Sequence, residues 1–497
     1  MISRILLSIF YLSLFYSTIA QNRDTLCFIQ LNDIYEINAL QGGKSGGIAR
    51  IATFIQSCKK RYPTYSFVAG DFLSPSVMGT AVVSGERLSG KQMIDGLNAL
   101  GIDYVTFGNH EFDVGEIALQ KRINESKFVW FSSNVKRSDG SPFYKDSAGF
   151  KKYFPASINI TSPQKEFSVS LFSLTLPSNT PSYSRFYQYD TILQVMLPAL
   201  RNKNTMIMGL THLSAAEDIH LLEKYPAIRL SMGGHEHENM YLTSSHKSFV
   251  AKADANGKSI YKHLIYKNEK NNLEVTSELI KVDESIEADP KVISIVHNWE
   301  EKVYDAFRKQ GLEPTRSVCF LIDTLNGLES SIRYEQNSMG NAVNRALTLQ
   351  AGADVSFINA GAIRIDDKVI GNITELDVIR IMPFGNKIVE VEMKGELLEK
   401  MIKTNDDRKG LGGYLQYSSN IKYQNESVFL NDSRIENEKI YRIHTIEFLL
   451  SGKELKLEYF TPSNPLISRV TPLANDAKEQ VDLRKAFIQH LKSKYNQ

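Results

Sequence analysis

Six consecutive residues, Gly108-Asn109-His110-Glu111-Phe112-Asp113, carry the densest chemistry in the chain. An amide oxygen can ligate a metal, and a neighbouring imidazole held by a carboxylate can donate a proton or stabilise developing negative charge. Asp113 falls one helical turn beyond His110, so the two can pair where the chain turns at Gly108. Asp33, Asp71, His212, His235 and His237 extend the theme. Carboxylates, an amide and imidazoles brought together suit hard or borderline divalent metals. Two such ions about 3.5–4 Å apart clamp the attacking and leaving oxygens of an in-line phosphoryl displacement and generate hydroxide near neutral pH. No thiolate stands among these positions, which argues against a soft-metal or redox centre.

What must bring them together is a set of strands. Leu26 to Leu31 is an apolar run that ends in Asn32-Asp33, and Tyr65 to Ala69 ends in Gly70-Asp71. Asp103 to Phe107 delivers the six-residue stretch. Phe128 to Asn134 and Val169 to Leu174 repeat the pattern; Thr205 to Leu210 leads to Thr211-His212, and Leu230-Ser231-Met232 to Gly233-Gly234-His235-Glu236-His237. Between the first strands, Ile48, Ile51, Ala52 and Ile55 recur at helical spacing, and Lys91 to Leu100 is amphipathic. Strands alternating with helices predict an α/β fold, whose ligands bind at strand ends. Leu273 to Val282 reads as the last strand of this first domain, and a helix with Val292, Val296, Trp299, Val303 and Phe307 on its apolar face follows as a connector.

At 497 residues the chain exceeds a single core, so two domains are expected. With 42% hydrophobic and 23% charged residues it is globular, and a formal charge of +2 gives no reason to expect nucleic acid as a partner. The N-terminus reads as a secretory signal peptide: Arg4, an apolar run from Ile5 to Tyr16, then the small-residue site Thr18-Ile19-Ala20. That places the protein outside the cytoplasm, secreted or periplasmic. The polar C-terminus carries no lipid-anchor signal, so no stable membrane anchor is expected. Cys27, Cys58 and Cys319 cannot build a disulfide framework, and the first two read as small buried apolar residues. Nothing in the sequence speaks to oligomeric state.

Asn-Asp after the first strand, Gly-Asp after the second, Gly-Asn-His-Glu-Phe-Asp, Thr-His and Gly-Gly-His-x-His, in this order, resemble the 5'-nucleotidase family of calcineurin-like metallophosphoesterases. The resemblance implies a four-layer α/β metallophosphoesterase sandwich followed by a smaller α/β substrate-binding domain. It divides the chain into a signal peptide at 1–20, the catalytic domain at 21–285, a linker helix at 286–312 and the C-terminal domain at 313–497. It further implies two divalent ions, zinc or manganese first. Asp33 and His237 would hold one, Asp71 would bridge, and Asn109, His212 and His235 would hold the other. His110 with Asp113 would stabilise the transition state and assist the leaving oxygen. The implied substrate is a small phosphoester, most simply a nucleoside 5'-monophosphate.

The chain departs from the family in two places. The first motif reads Asp-x-His in the family, and here position 35 is tyrosine. A phenol titrates near pH 10 and is a poor ligand for zinc or manganese. Three arrangements answer this. The first metal keeps fewer protein ligands and a water; or Tyr35 ligates as phenolate and selects a harder ion such as ferric iron; or the centre holds one metal and is slow. Glu36 would face the opposite side of an extended chain. In the C-terminal region, Asn359 and Arg364 would contact substrate and Phe384 would stack on a nucleobase. The family's second stacking segment, Gly-Gly-x-Gly before an aromatic, is here Ser451-Gly452-Lys453-Glu454-Leu455, which removes one of two rings. The departures keep a second reading open: a weak or silent nucleotide-binding protein on the same scaffold.

Overall fold

The computed structural model describes residues 24–177, 180–348, 352–474 and 479–495; the stretch read as a signal peptide, residues 1–20, lies outside them. The chain forms two compact units, residues 1–302 and 303–497.

In the first unit, strands β1 (Thr25–Leu31), β2 (Thr64–Val68), β3 (Tyr104–Val105) and β4 (Val129–Trp130) run parallel side by side. Later in the chain come β5 (Ser157–Thr161), β6 (Ser168–Thr175), β7 (Thr205–His212), β8 (Ile228–Gly233), β9 (Met240–Thr243), β10 (Phe249–Lys252), β11 (Ser259–Lys267) and β12 (Leu273–Lys281). The last two return to the first sheet antiparallel, giving the order β12-β11-β1-β2-β3-β4. The others form a second six-stranded sheet, β5-β6-β7-β8-β10-β9, parallel through β6, β7, β8 and β10.

The two sheets face one another across a common core. Phe28, Phe67, Tyr261 and Ile265 from the first sheet meet Leu171, Met208, Leu230, Met232 and Ala251 from the second. Each large side chain so buried contributes about 1.5–3 kcal/mol. One polar tie crosses this core. Gln30 on β1 donates to the carbonyls of Gly233 (3.0 Å) and Ala251 (2.7 Å), and its own carbonyl accepts from His263 Nε2 at 3.0 Å. Helices cover the outer faces. Ile48–Lys59 and Lys91–Leu100 turn Ile51, Ala52, Ile55, Met93, Ile94 and Leu97 inward beside the first sheet. Leu193 and Leu197 from one helix, with Leu221 and Leu222 from another, close over Ile207, Ile228 and Val250 of the second. The result is the four-layer α/β sandwich that the family resemblance implies.

The second unit is a smaller α/β body. Its sheet contains β13 (Val355–Asn359), β14 (Ile388–Lys394), β15 (Leu415–Tyr417), β16 (Ile440–Ile446) and β17 (Ile467–Pro472), in the order β15-β13-β16-β14-β17. Helices Ser338–Thr348 and Leu483–Tyr495 pack together within it. Thr374 opens the helix Glu375–Ile381 with a reciprocal cap to Asp377, satisfying backbone donors at its first turn. Among the described residues no helix is long and apolar enough to cross a membrane.

Candidate metal centre

The parallel strands of both sheets release their chains at the same end of the sandwich, and the candidate ligands sit on those exits. Asp33 lies two residues past β1, Asp71 three past β2, Asn109 four past β3, His212 closes β7, and His235 and His237 follow β8. Three of them turn the chain sharply. Asp33, Asp71 and His235 have φ of 51°, 56° and 87°, a region that side chains other than glycine adopt at a cost. Gly70 (φ 76°) has no alternative. A Cβ there would lie 2.3 Å from the Gly108 nitrogen, so the second and third strand exits touch through backbone alone.

The acceptors converge. Asp33, Asp71 and His212 each place a donor atom within 4.8 Å of the others, and all three are buried. His212 Nδ1 donates to the Ala69 carbonyl at 2.7 Å, which leaves the Nε2 lone pair free for a metal. That nitrogen lies 3.1 Å from Asp71 Oδ2, 3.2 Å from Asn109 Oδ1 and 4.0 Å from Asp33 Oδ1. The ring of His235 stands 5.5 Å from that of His212, centroid to centroid, and the backbone N–H of His235 donates to Asp33 Oδ2 at 3.0 Å. His237 Nε2 is 3.7 Å from Asp33 Oδ1. Tyr35 completes the ring of groups, its hydroxyl directed at Asp33, Asp71 and His237. The predicted ligands are therefore in one place.

The electrostatics show a demand for positive charge. Burial alone would depress His212, yet Asp71 and Asp33 beside it push it up to about 9. Burial raises Asp33, with the two histidines opposing. Asp71 is held below the usual carboxylate range: burial works against ionisation, and His212 and His110 outweigh it. His235 is pushed down to about 3 by burial and by the neighbouring His212. Two carboxylates, an amide and three imidazoles meet here, and the proton that the carboxylates hold on His212 is the charge that a bound cation would supply. The donor set fits a pair of metal ions.

His110 sits at the rim. Its N–H donates to Asp71 Oδ1 at 2.7 Å and its Nδ1 pairs with Asp113 Oδ2 at 2.7 Å, across the single 3-10 turn His110–Asp113. Ser74 Oγ donates to the same Asp113 oxygen at 3.1 Å. Asp113 thereby fixes the imidazole's tautomer and ring orientation.

Several supporting residues carried no signal in the sequence. Glu111 is fully buried, and its carboxylate accepts the backbone N–H of Gly108 (2.5 Å), Asp71 (2.8 Å), Phe72 (2.8 Å) and Leu73 (3.1 Å). Burial and the adjacent Asp71 raise it to about 7. It ties the second exit to the third. Lys252 is wholly buried and donates to the carbonyls of Leu213 and Gly234, the neighbours of His212 and His235, while pairing with Asp218 (3.0 Å) and Glu236. Asn32 donates to Asp33 Oδ2 at 2.9 Å and to the Ala253 carbonyl at 3.0 Å. Glu36 turns away, as expected, and accepts from the Val77 N–H at 3.3 Å. Many of these partners lie far apart in sequence, as Glu111 with Asp71, Lys252 with Leu213 and Asn32 with Ala253, and only the closed sandwich brings them near.

The second unit places its candidates as follows. Asn359 ends β13, is 2% exposed, and donates through Nδ2 to Glu454 Oε2 at 2.8 Å, with its Oδ1 unpartnered. Arg364 is half-buried, and its N–H donates to the Ile381 carbonyl at 2.9 Å. Phe384 is 46% exposed, and Leu455 is 55% exposed beside the buried Glu454. Burial raises the Glu454 carboxyl.

A double-sheet α/β sandwich with carboxylates, an amide and imidazoles gathered at its strand exits defines a metallophosphoesterase. Residues 28–239 match the calcineurin-like phosphoesterase family, and residues 321–462 match the 5'-nucleotidase C-terminal domain. The chain is 28% identical to the 5'-nucleotidase of Bos taurus over 411 residues, spanning 75% of this chain and 68% of that one. It is 25% identical to Protein UshA of Yersinia enterocolitica over 452 residues, 76% and 77% of the two chains. A 5'-nucleotidase precursor from Thermus thermophilus shares the fold, with a TM-score of 0.71 at 19% identity over 94% of this chain and 96% of that one. The chain belongs to the 5'-nucleotidase family of calcineurin-like metallophosphoesterases, and it is a phosphoester hydrolase.

Proposed function

We propose that the protein is a secreted or periplasmic 5'-nucleotidase that removes phosphate from nucleoside 5'-monophosphates or closely related phosphoesters. The observation that carries this is the convergence of Asp33, Asp71, Asn109 and His212, with His235 and His237 beside them, next to the His110–Asp113 pair. Asp33 and His237 would hold one metal ion, Asn109, His212 and His235 the other, with Asp71 placed to serve both. When bound, the two ions supply a hydroxide nucleophile near neutral pH and neutralise phosphate charge. The chain's own residues do the rest. Asp71, anchored by the N–H of His110, keeps the two half-sites in register. His110, its Nδ1 held by Asp113, offers Nε2 to the leaving oxygen and donates a proton as that oxygen departs.

The proposed domain assignment is a catalytic domain at 21–285, a linker helix at 286–312 and a substrate-binding domain at 313–497. In the last, Asn359 and Arg364 contact the nucleotide and Phe384 offers a ring face to the base. The names of the bovine and Thermus relatives support a nucleotide as substrate. The leader read at residues 1–20 supports export.

The test is phosphate release from adenosine 5'-monophosphate by the mature chain across zinc, manganese, cobalt and magnesium, with His110→Ala as control. Metal-dependent release that falls about 100-fold or more in the control supports the reading. Folded protein that releases no phosphate with any metal overturns it in favour of a nucleotide-binding protein.

A further inference from the structure

Tyr35 is aimed into the first metal site by the backbone around it. Its N–H and that of Glu36 both donate to Asn256 Oδ1, at 3.1 and 3.2 Å, and the Asn256 N–H donates to the Asp33 carbonyl at 2.8 Å. This bracket pins residues 33–36 to the turn before β11, and the ring that results is 7% exposed. The phenol oxygen then lies 3.0 Å from His237 Nε2, 3.2 Å from Asp71 Oδ2 and 3.4 Å from Asp33 Oδ1.

Those spacings discriminate between two roles. An oxygen standing in place of the ion would sit about 2.0–2.2 Å from each ligand. Donor atoms that share one ion at that radius stand about 2.8–3.6 Å from one another, by the geometry of tetrahedral and octahedral shells. All three distances fall in the second range. The same spacings suit hydrogen bonds, the phenol donating its one proton to a carboxylate and accepting from His237, so an ion entering here would displace protons from groups already set at ligand-to-ligand distances.

We infer that Tyr35 ligates the first metal through its phenol oxygen, with Asp33, Asp71 and His237, and that this site takes ferric iron while the Asn109–His212–His235 site takes a divalent ion. The inference rests on the two-metal reading above. The donor sets differ in the required way. The first site offers phenolate, Asp33 and the shared Asp71, three anionic oxygens, with a single imidazole. The second offers an uncharged amide oxygen and two imidazoles with the same shared carboxylate. A hard, oxygen-rich, trianionic set selects a trivalent ion, and the imidazole-rich set suits zinc. On ligation the phenol proton passes to solvent, and iron enters already ferric, so no electron is transferred.

The experiment uses the full mature chain, stripped with chelator and then loaded with ferric citrate and zinc. Metal content is measured together with the visible absorption and resonance Raman spectra, in the absence of substrate. Expected are one iron and one zinc per chain, a broad phenolate-to-iron charge-transfer absorption, and phenolate modes enhanced on exciting it. Tyr35→Phe, near-isosteric and checked for folding by circular dichroism, should abolish the band and weaken iron retention about tenfold or more. Tyr35→His should also be colourless while binding two divalent ions. The inference is overturned if iron-loaded wild-type protein is colourless, if Tyr35→Phe keeps the band, or if zinc fills both sites in preference to iron. Two bound zinc ions with metal-dependent phosphate release would sink this inference and leave the nucleotidase reading standing. Protein that binds no metal at all would sink both.

Discussion

Replacing Lys252 by methionine tests how the fold holds two of the histidines. The lysine stem runs under Gly233, where a Cβ would come within 2.9 Å of Lys252 Cε, and the ammonium reaches four acceptors with no exposure to water. It donates to Leu213 O at 2.5 Å and Gly234 O at 2.8 Å, and pairs with Asp218 Oδ2 at 3.0 Å and with Glu236. Burial opposes the charge, but the two carboxylates outweigh it and raise the lysine above its ordinary range. Methionine keeps the stem's packing and deletes only the charge and its protons. The loss then has two parts. Breaking a buried ion pair from one side costs about 3–5 kcal/mol, because Asp218 and Glu236 are left uncompensated. At about 2–4 °C per kcal/mol for a domain of this size, the melting temperature should fall by roughly 6–20 °C. The carbonyls before His235 and after His212 also lose their anchor, so zinc affinity should weaken about 10–100-fold, as when other outer partners of metal ligands are removed. Thermal unfolding and competition against a chromogenic chelator measure the two separately. Adding Asp218→Asn and Glu236→Gln to Lys252→Met should restore much of the stability and little of the affinity. A single variant that loses less than about 1 kcal/mol and binds zinc as tightly as the wild type would refute the clamp.

His263 sets a pH limit on the sandwich. Burial pushes it down to about 3, so it is neutral in the fold, with Nε2 donating to Gln30 and Nδ1 paired with Ser277 at 2.8 Å. A depressed folded-state value means that this contribution is intact above about pH 6.5 and is lost as pH falls from there toward 3. At pH 5 the loss is about 2 kcal/mol. Urea unfolding at pH 7.5 and 5.0 should show it in the wild type and not in His263→Gln, and equal pH slopes in the two would disprove it. Glu111→Gln replaces one acceptor oxygen with an amide donor that faces backbone N–H groups. The expected loss is about 2–4 kcal/mol in unfolding free energy with reduced metal retention, and a change under 1 kcal/mol would contradict the tying role. Leu455→Phe restores a ring where the family carries one. KM for adenosine 5'-monophosphate should fall about tenfold or more with kcat little changed, since base stacking contributes about 1–3 kcal/mol; an unchanged KM would mean that the base does not reach this loop.

The sequence made the strand exits legible because each ligand follows an apolar run, and the helix Lys91–Leu100 stands within the bounds its apolar spacing predicts. Strand lengths were less legible. Asp103 to Phe107 reads as a strand of five, yet only Tyr104 and Val105 keep ladder partners, because the chain must leave the sheet early to set Gly108 against Gly70. Phe128 to Asn134 shortens to Val129–Trp130 for a related reason: Ser132 and Ser133 bond instead to the carbonyls of Pro155 and Ser173. Glu111 stood inside the most informative motif without a readable task, since its four partners are backbone N–H groups that have no sequence identity. Lys252 belongs to no motif in the sequence. Its meaning depends on two carbonyls from other strand exits, and a backbone carbonyl leaves no mark on composition or periodicity.

The left-handed turns at the ligands complete the physical account. A strand continued past its end would alternate its side chains between the two faces, and Asp33 or Asp71 alone would then have even odds of facing the core. Positive φ at both residues swings each carboxylate across the sheet's end instead. Each such turn costs on the order of 1–3 kcal/mol, so it persists only where neighbours fix it. Asp33 is fixed by its N–H to the Gly70 carbonyl (3.1 Å), by its own carbonyl accepting from Asn256, and by Asn32 and His235 on its carboxylate. Asp71 is fixed by Glu111 on its N–H and by His110 on its carboxylate. The two exits also bind each other through Gly70, which carries no side chain to keep them apart. The strain is therefore offset by contacts that themselves require both sheets to be closed. Carboxylates held in this way cannot relax to separate the charges they bring together, which is why the centre retains its demand for cations once the chain has folded.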